Sequence, residues 1–413
     1  MAKNIFDGMD SSQSLFKNKE VLRHAHRPKR LPHRDSEIEA LRFNLVEALR
    51  GHIPSNMVLY GVTGAGKTAV TNFVCEQLAA KGKEIGQDVH AIVVNCRQID
   101  TQYRVLSHIG NTLLESHERE EIPFTGWPTD RVFSELKKRM DRRGGVYVIV
   151  LDEIDHLVKK AGDDLLYNLT NLNTELKSGR ACVIGISNDL KFVDFLDPRV
   201  RSRLGQQDVI FAPYNAEQLQ DILNQRASRS IKRDVLEPGV IELCAAIAAQ
   251  EHGDARRALD LLRVSTEKAE QKSAQNVSRD HVRSAQTQIE CDQVTPILSS
   301  LPFQQKLVLT SVLLSEDHGL RNIPTGEVYE IYQQASHHGG QQALTQRRVS
   351  GIISNLDMLG LITAKIVNRG RGGRFKEINS CLPNNIDAIG IMSSEDEKIG
   401  DISSQRFVFQ SKL

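Results

Sequence analysis

"GVTGAGKT", residues Gly61–Thr68, decides how the rest of the chain is read. It satisfies G-x-x-x-x-G-K-[ST] in full and lies between a strand-like run, "NMVLY", and a helix-like one, "TAVTNFVCEQLAAKG". Gly61, Gly64 and Gly66, with Val62, Thr63 and Ala65 between them, let backbone N–H groups wrap a β-phosphate, and the following helix N-terminus adds partial positive charge. The motif assigns Lys67 to the β- and γ-phosphates of bound ATP or ADP and the Thr68 hydroxyl to Mg²⁺.

Downstream, "VYVIVLDEIDHL" brings Asp152 and Glu153 to the C-terminal end of an apolar strand, where open α/β sheets bind ligands. Asp152 is expected in the Mg²⁺ shell and Glu153 beside an attacking water. The next strand, "ACVIGISN", ends in Asn188, whose amide suits that water or the γ-phosphate. Positive charge for phosphoryl transfer comes from "LDPRVRSRL", with Arg199, Arg201 and Arg203, and from "HGDARRALDLLR", with Arg256 in the first turn of a helix capped by Asp254. Tyr214, just past the strand region, joins the expected nucleotide contacts.

At 413 residues, with 40% apolar and 25% charged residues, the chain suits several folded domains. Its net charge of +1 does not announce a polyanion partner, but charge is clustered. Lys17–Arg34 holds seven Lys/Arg against one Glu, and Lys365–Lys376 holds five against none. The six cysteines form no C-x-x-C pair, which points to reduced thiols and away from a zinc site. No apolar run is long enough for a membrane span, so the expectation is a cytoplasmic, nucleoid-associated protein without a membrane partner.

Residues 1–35 read as a basic, weakly structured arm. Residues 36–213 alternate helix and strand as an α/β nucleotide-binding domain. Asp35 and Ser36 are expected to cap its first helix, which turns Ile38, Leu41, Leu45 and Leu49 inward. Four strands are expected: "NMVLY", "HAIVVNC", "VYVIVLD" and "ACVIGISN". Residues 214–293 read as helical, and "VTPILSSLP" is expected to break the pattern at Pro296 and Pro302. Residues 294–385 form a third unit and 386–413 a polar, loosely ordered tail.

The third unit carries its own chemistry. "TQRRVSGIISNLDMLGLI" turns Val349, Ile352, Ile353, Leu356 and Leu359 inward behind a Thr345 cap and leaves Gln346, Arg347, Arg348, Ser350 and Ser354 outward, the layout of a recognition helix. "LITAKIVN" and "RFKEINS" are expected to pair as a hairpin, with Arg369, Arg371 and Arg374 of "IVNRGRGGRF" as a wing aimed at phosphate or a narrow groove.

The ordered set resembles the AAA+ ATPases. With "LPHRDSEIEAL", "PFTGWPTD" and "FLDPRVRSRL" it resembles, more narrowly, the archaeal replication initiators related to the eukaryotic origin recognition complex and its cell-division-control partner. That resemblance implies an AAA+ P-loop core, a helical lid and a C-terminal winged helix, and a slow ATPase acting as a switch. It makes Arg256 a lid sensor, and Arg203 or Arg199 a finger offered to a neighbour. It implies an initiator-specific insertion at about 105–130 touching DNA, with Trp127 in it. Its partners would be double-stranded origin DNA, other initiator protomers and a replicative helicase. Two alternatives share the parts: an AAA+ motor of the Holliday-junction branch-migration type, and a signalling ATPase whose winged helix only packs.

Overall fold

Runs of branched apolar residues become one parallel sheet in the computed structural model, which describes residues 14–114, 121–368, 374–383 and 386–408. Its strands are β1 (Met57–Gly61), β2 (Val89–Asn95), β3 (Val146–Asp152), β4 (Arg180–Ser187) and β5 (Gln207–Phe211), in the order β2-β3-β4-β1-β5. All of β3 is buried, which is why this strand reads as an unbroken apolar run. The edge strand β5 buries only Phe211, so its sequence, "QDVIF", gave no such run and the expectation of four strands missed it.

Alternate residues of β3 serve two apolar layers. Val146, Val148 and Val150 pack with Leu41 and Leu45 of α1 (Asp35–Leu49) and Val70 and Val74 of α2 (Lys67–Ile85). Tyr147, Ile149 and Leu151 share the other layer with Ile109 of α3 (Gln102–Thr112), Leu136 of α4 (Thr129–Arg143), Leu157 of α5 (Ile154–Ala161) and Leu166 of α6 (Asp164–Glu175). The short α7 (Pro198–Leu204) anchors there through Val200 and Leu204. Asp35 and Ser36 lie inside α1, and Arg34 holds the N-cap position without a side-chain cap. The buried Cys75 and Cys96 thiols are pushed up to about 12 by burial and act as small apolar fillers.

Helices α8 (Ala216–Ser230), α9 (Val240–Gln250) and α10 (Ala255–Gln271) follow, then α11 (Arg279–Ser300). The described part of the basic N-terminal segment is not weakly structured. Leu15, Phe16, Val21 and Leu22 are buried, Phe16 bridges to Ile231, and a short 3-10 turn covers Lys19–Leu22. Four apolar residues spaced among the lysines and arginines outweigh the charge pattern on which the expectation rested. Residues 1–13 lie outside the described part.

By contacts the chain divides after Val282, and the second unit starts within α11. Pro296 does not end that helix. The Thr295 hydroxyl bonds the Cys291 carbonyl at 2.8 Å, and burial of Leu298 holds the last turn against the lost backbone bond. Pro302 caps α12 (Phe303–Asp317), as expected of a breaker. The unit continues with β6 (Ile323–Pro324), α13 (Thr325–His338), α14 (Gln346–Met358), β7 (Ile362–Asn368) and β8 (Arg374–Ser380), an antiparallel sheet ordered β6-β8-β7. Val349, Ile353 and Leu356 of α14 are buried and Ile352 packs beside them, but Leu359 is 42% exposed because α14 ends before it.

The C-terminal tail also departs from expectation. α15 (Ala388–Glu395) and α16 (Glu397–Ser403) bury Ala388, Met392, Ile399 and Ile402 in the winged-helix core. The polar "SSEDEK" lies at the junction of the two helices and hid their apolar spacing. In the full chain, Ile402→Ala should destabilise this unit by about 2–4 kcal/mol. Hydrogen exchange of α12 and α13 amides would show it as faster opening, with β3 amides unchanged.

Candidate functional site

The sheet order puts the C-terminal ends of β1, β3 and β4 at one edge, and three expected site groups meet there. Lys67 is 6% exposed, and its ammonium donates to the Gly61 carbonyl (2.7 Å), the Val62 carbonyl (2.9 Å) and Asn188 Oδ1 (2.8 Å). Thr68 Oγ1 donates to Asp152 Oδ2 at 2.9 Å. Residues as far apart in sequence as Lys67 and Asn188 are therefore one network. Burial pulls the Lys67 ammonium down to about 8; Asp152 pulls the other way, and Arg256 lowers it further.

Glu153 stands at the N-cap of α5 with φ 55°, a left-handed conformation unusual for a glutamate. Its N–H donates to Asp152 Oδ1 at 3.0 Å. Asn188 is steadied in turn by Asp155, which accepts from its N–H at 3.3 Å.

The phosphate loop fits a nucleotide because side chains would collide with its surroundings. A Cβ on Gly64 (φ 73°) would lie 1.7 Å from Asp254 Oδ1, and one on Gly66 (φ 92°) 2.8 Å from the Tyr214 hydroxyl. Both positions must therefore stay glycine. The oxygen donors Thr68 and Asp152 suit Mg²⁺, which takes one or two protein ligands and fills its shell with phosphate and water. Among the described residues no cluster of three or more His, Cys, Asp or Glu offers a dedicated metal cage.

Helix α10 approaches the loop from the helical domain. Asp254 caps it, accepting from the N–H groups of Arg256 (2.7 Å) and Arg257 (3.4 Å), and Ala255 N–H donates to the Gly64 carbonyl at 3.4 Å. The Arg256 side chain is exposed and close enough to depress Lys67, whereas Arg257 is held by both oxygens of Glu251. On α7, Arg201 pairs with Asp194 at 3.4 Å. Arg199 and Arg203, four residues apart on one face, are exposed, and their guanidinium groups form no ion pair among the described residues.

Tyr214 is buried, and its ring lies 3.9 Å from the guanidinium carbon of Arg34. Arg34 was given no individual role in the sequence, where it stood in a basic run and in "LPHRDSEIEAL"; Glu37, three residues on and ion-paired to it at 2.9 Å, was the available signal. Trp127 is half-buried against the core, its ring under the Arg131 guanidinium at 4.0 Å. Of the insertion, residues 115–120 lie outside the described part.

In the second unit, Arg347 and Arg348 are exposed on the first turn of α14, with Gln346 beside them and Ser350 half-buried. Gln346, Arg347 and Ser350 line a groove with Thr325, Ile366 and Lys376. Arg369 and Arg371 of the expected wing tip lie outside the described residues, as does the side chain of Arg374, which opens β8.

Residues 30–184 match an AAA ATPase domain, residues 220–287 a Cdc6 AAA+ ATPase-type lid domain, and residues 297–387 a CDC6 C-terminal winged helix domain. The chain is 50% identical over 381 residues to ORC1-type DNA replication protein 1 of Methanosarcina acetivorans, covering 92% of this chain and 91% of that protein. It is 50% identical over 374 residues to an ORC1-type DNA replication protein of Pyrococcus abyssi, with 91% and 89% covered. Among solved structures, that of the Aeropyrum pernix ORC1 protein in complex with DNA matches at TM-score 0.77 and 45% identity, covering 93% of this chain and 98% of that one.

The geometry separates two roles that a pair of variants can test. Lys67→Ala should abolish ATP binding. Glu153→Ala should retain binding and lower the hydrolysis rate by at least about a hundredfold. Nucleotide retention on a filter and single-turnover hydrolysis read the two effects separately.

Proposed function

The chain belongs to the ORC1-type DNA replication proteins, and from that membership we propose an ATP-switched initiator that binds origin duplex DNA and recruits the replicative helicase. The nucleotide half of the proposal is carried by the buried network of Lys67, Asn188, Thr68 and Asp152. Lys67 neutralises the β- and γ-phosphates, while the loop amides orient them. Thr68 and Asp152 would hold Mg²⁺, which when bound supplies charge neutralisation on the phosphoryl oxygens. Glu153 orients the attacking water and accepts its proton, Asn188 positions it, and Arg256 reaches the γ-phosphate from the lid.

Arg203, with Arg199 as the alternative, serves a neighbouring protomer rather than its own site. A finger supplied in trans is worth about 10³–10⁵ in rate, so a lone protomer hydrolyses ATP slowly and the nucleotide acts as a switch. Hydrolysis would quicken when initiator protomers meet on DNA. The domain limits of 36–213 and 214–293 stand as the proposed division of this labour, with the third unit running from 294 through α16.

For DNA, the supporting features are the exposed Arg347 and Arg348 of α14 and the groove that Arg347 lines with residues of β7 and β8. Arg347 and Arg348 would read base edges or phosphates in a major groove, Ser350 would help, and Arg369, Arg371 and Arg374 would form the wing. The loop around Trp127 is a second contact, its ring held in place by Arg131. A branch-migration motor or a signalling ATPase has no comparable support, since the likeness to replication proteins runs along nearly the whole chain.

Replacing Arg369, Arg371 and Arg374 with alanine should weaken duplex binding and lower the salt slope by about one per lost phosphate contact, with basal ATP hydrolysis intact. Titration of labelled duplex at several salt concentrations measures both. An unchanged slope would remove the wing from the proposal.

A further inference from the structure

One buried charge has no part in the scheme above. Arg34 is 3% exposed, and its guanidinium ties together segments that are distant in sequence. Nε donates to the Ala65 carbonyl in the phosphate loop (2.9 Å) and to the Tyr214 hydroxyl (3.0 Å). Nη2 donates to the Ala212 carbonyl (2.6 Å), and Nη1 to the Glu37 carboxylate (2.9 Å). Ala212 and Tyr214 lie between β5 and α8, on the link that joins the lid to the sheet. One planar fork therefore sets the distance between phosphate loop and lid hinge.

The residues before Arg34 continue the same connection. His33 has φ 61°, which turns the chain, and its Nε2 lies 2.8 Å from Asp221 on α8. Further back, the Lys17 and Asn18 N–H groups donate to the Ser230 carbonyl at the end of α8 (2.8 and 3.1 Å). Arg226 of α8 donates to the Val21 carbonyl at 3.2 Å, and the Leu15 N–H donates to Glu270 on α10 at 2.7 Å. Residues 14–34 are a splint, with one end on the two lid helices and the other on the phosphate loop. The lid is the element that carries Asp254 and Arg256 up to Gly64 and Lys67.

We infer that Arg34 is a positioning residue for hydrolysis, fixing the lid hinge against the phosphate loop so that Arg256 reaches the nucleotide, with the 14–34 splint transmitting that position along the lid. The inference rests on the ATPase reading above and assigns Arg34 no contact with the reacting atoms. A displacement of about 1 Å at such a support can cost roughly a hundredfold in rate.

The test is a double-mutant cycle on the full chain, with ATP turnover and ADP binding both measured. Arg34→Ala should lower kcat at least about tenfold while ADP affinity changes less than about threefold, and Arg34→Ala with Arg256→Ala should be no slower than Arg256→Ala alone. Multiplying effects in the double variant, or ADP affinity falling as far as kcat, would overturn the inference. Should Arg34→Ala fail to fold, Tyr214→Phe removes one acceptor and keeps the ring. A kcat decrease that disappears in the Arg256→Ala background supports the coupling, and wild-type kcat overturns it. Retained hydrolysis in Lys67→Ala would instead refute the site assignment, so the two failures are distinguishable.

Discussion

The close approach of Asp254 and Tyr214 to the bare backbone of the phosphate loop is the constraint from which the nucleotide site follows. A single methyl group on Gly64 or Gly66 would meet a carboxylate or a phenol inside contact distance. Two residues of the helical domain and its hinge therefore wall the loop closely. The same walls bring Asp254, and with it the first turn of α10, to the place where a lid arginine is useful. Loop conformation, lid position and phosphate chemistry are one geometric problem.

Charges buried at this site are tolerated because each has several partners. Lys67 has two carbonyls and an amide, Asp152 accepts on both oxygens, and Arg34 donates to two carbonyls, a hydroxyl and a carboxylate. Such groups add little net stability over apolar packing, yet they are costly to strip of a partner and so fix one arrangement. Glu153 follows the same logic in the backbone: it holds a left-handed conformation while its N–H bonds the Asp152 carboxylate.

The C-terminal unit solves a simpler problem. α14 buries Val349, Ile353 and Leu356 and leaves its first-turn arginines in solvent, so core and charged face are opposite sides of one helix. α15 and α16 complete that core. The length of chain that looked like a tail is thus part of the fold.

By itself the sequence made legible the motifs whose geometry is set by local spacing. The phosphate motif, the Asp-Glu pair at a strand end, the strand-end Asn188, the lid arginine after its cap and the recognition-helix pattern were all legible, because spacing of a few residues sets their geometry. Tertiary structure alone decided which distant groups meet. It put Arg34 of a basic run into the core beside Ala65 and Tyr214, ordered residues 14–34 on the lid, carried a helix through Pro296 and drew Met392 and Ile402 into the winged helix. Those outcomes depend on burial against partners outside the local segment, which no local pattern of charge or proline records.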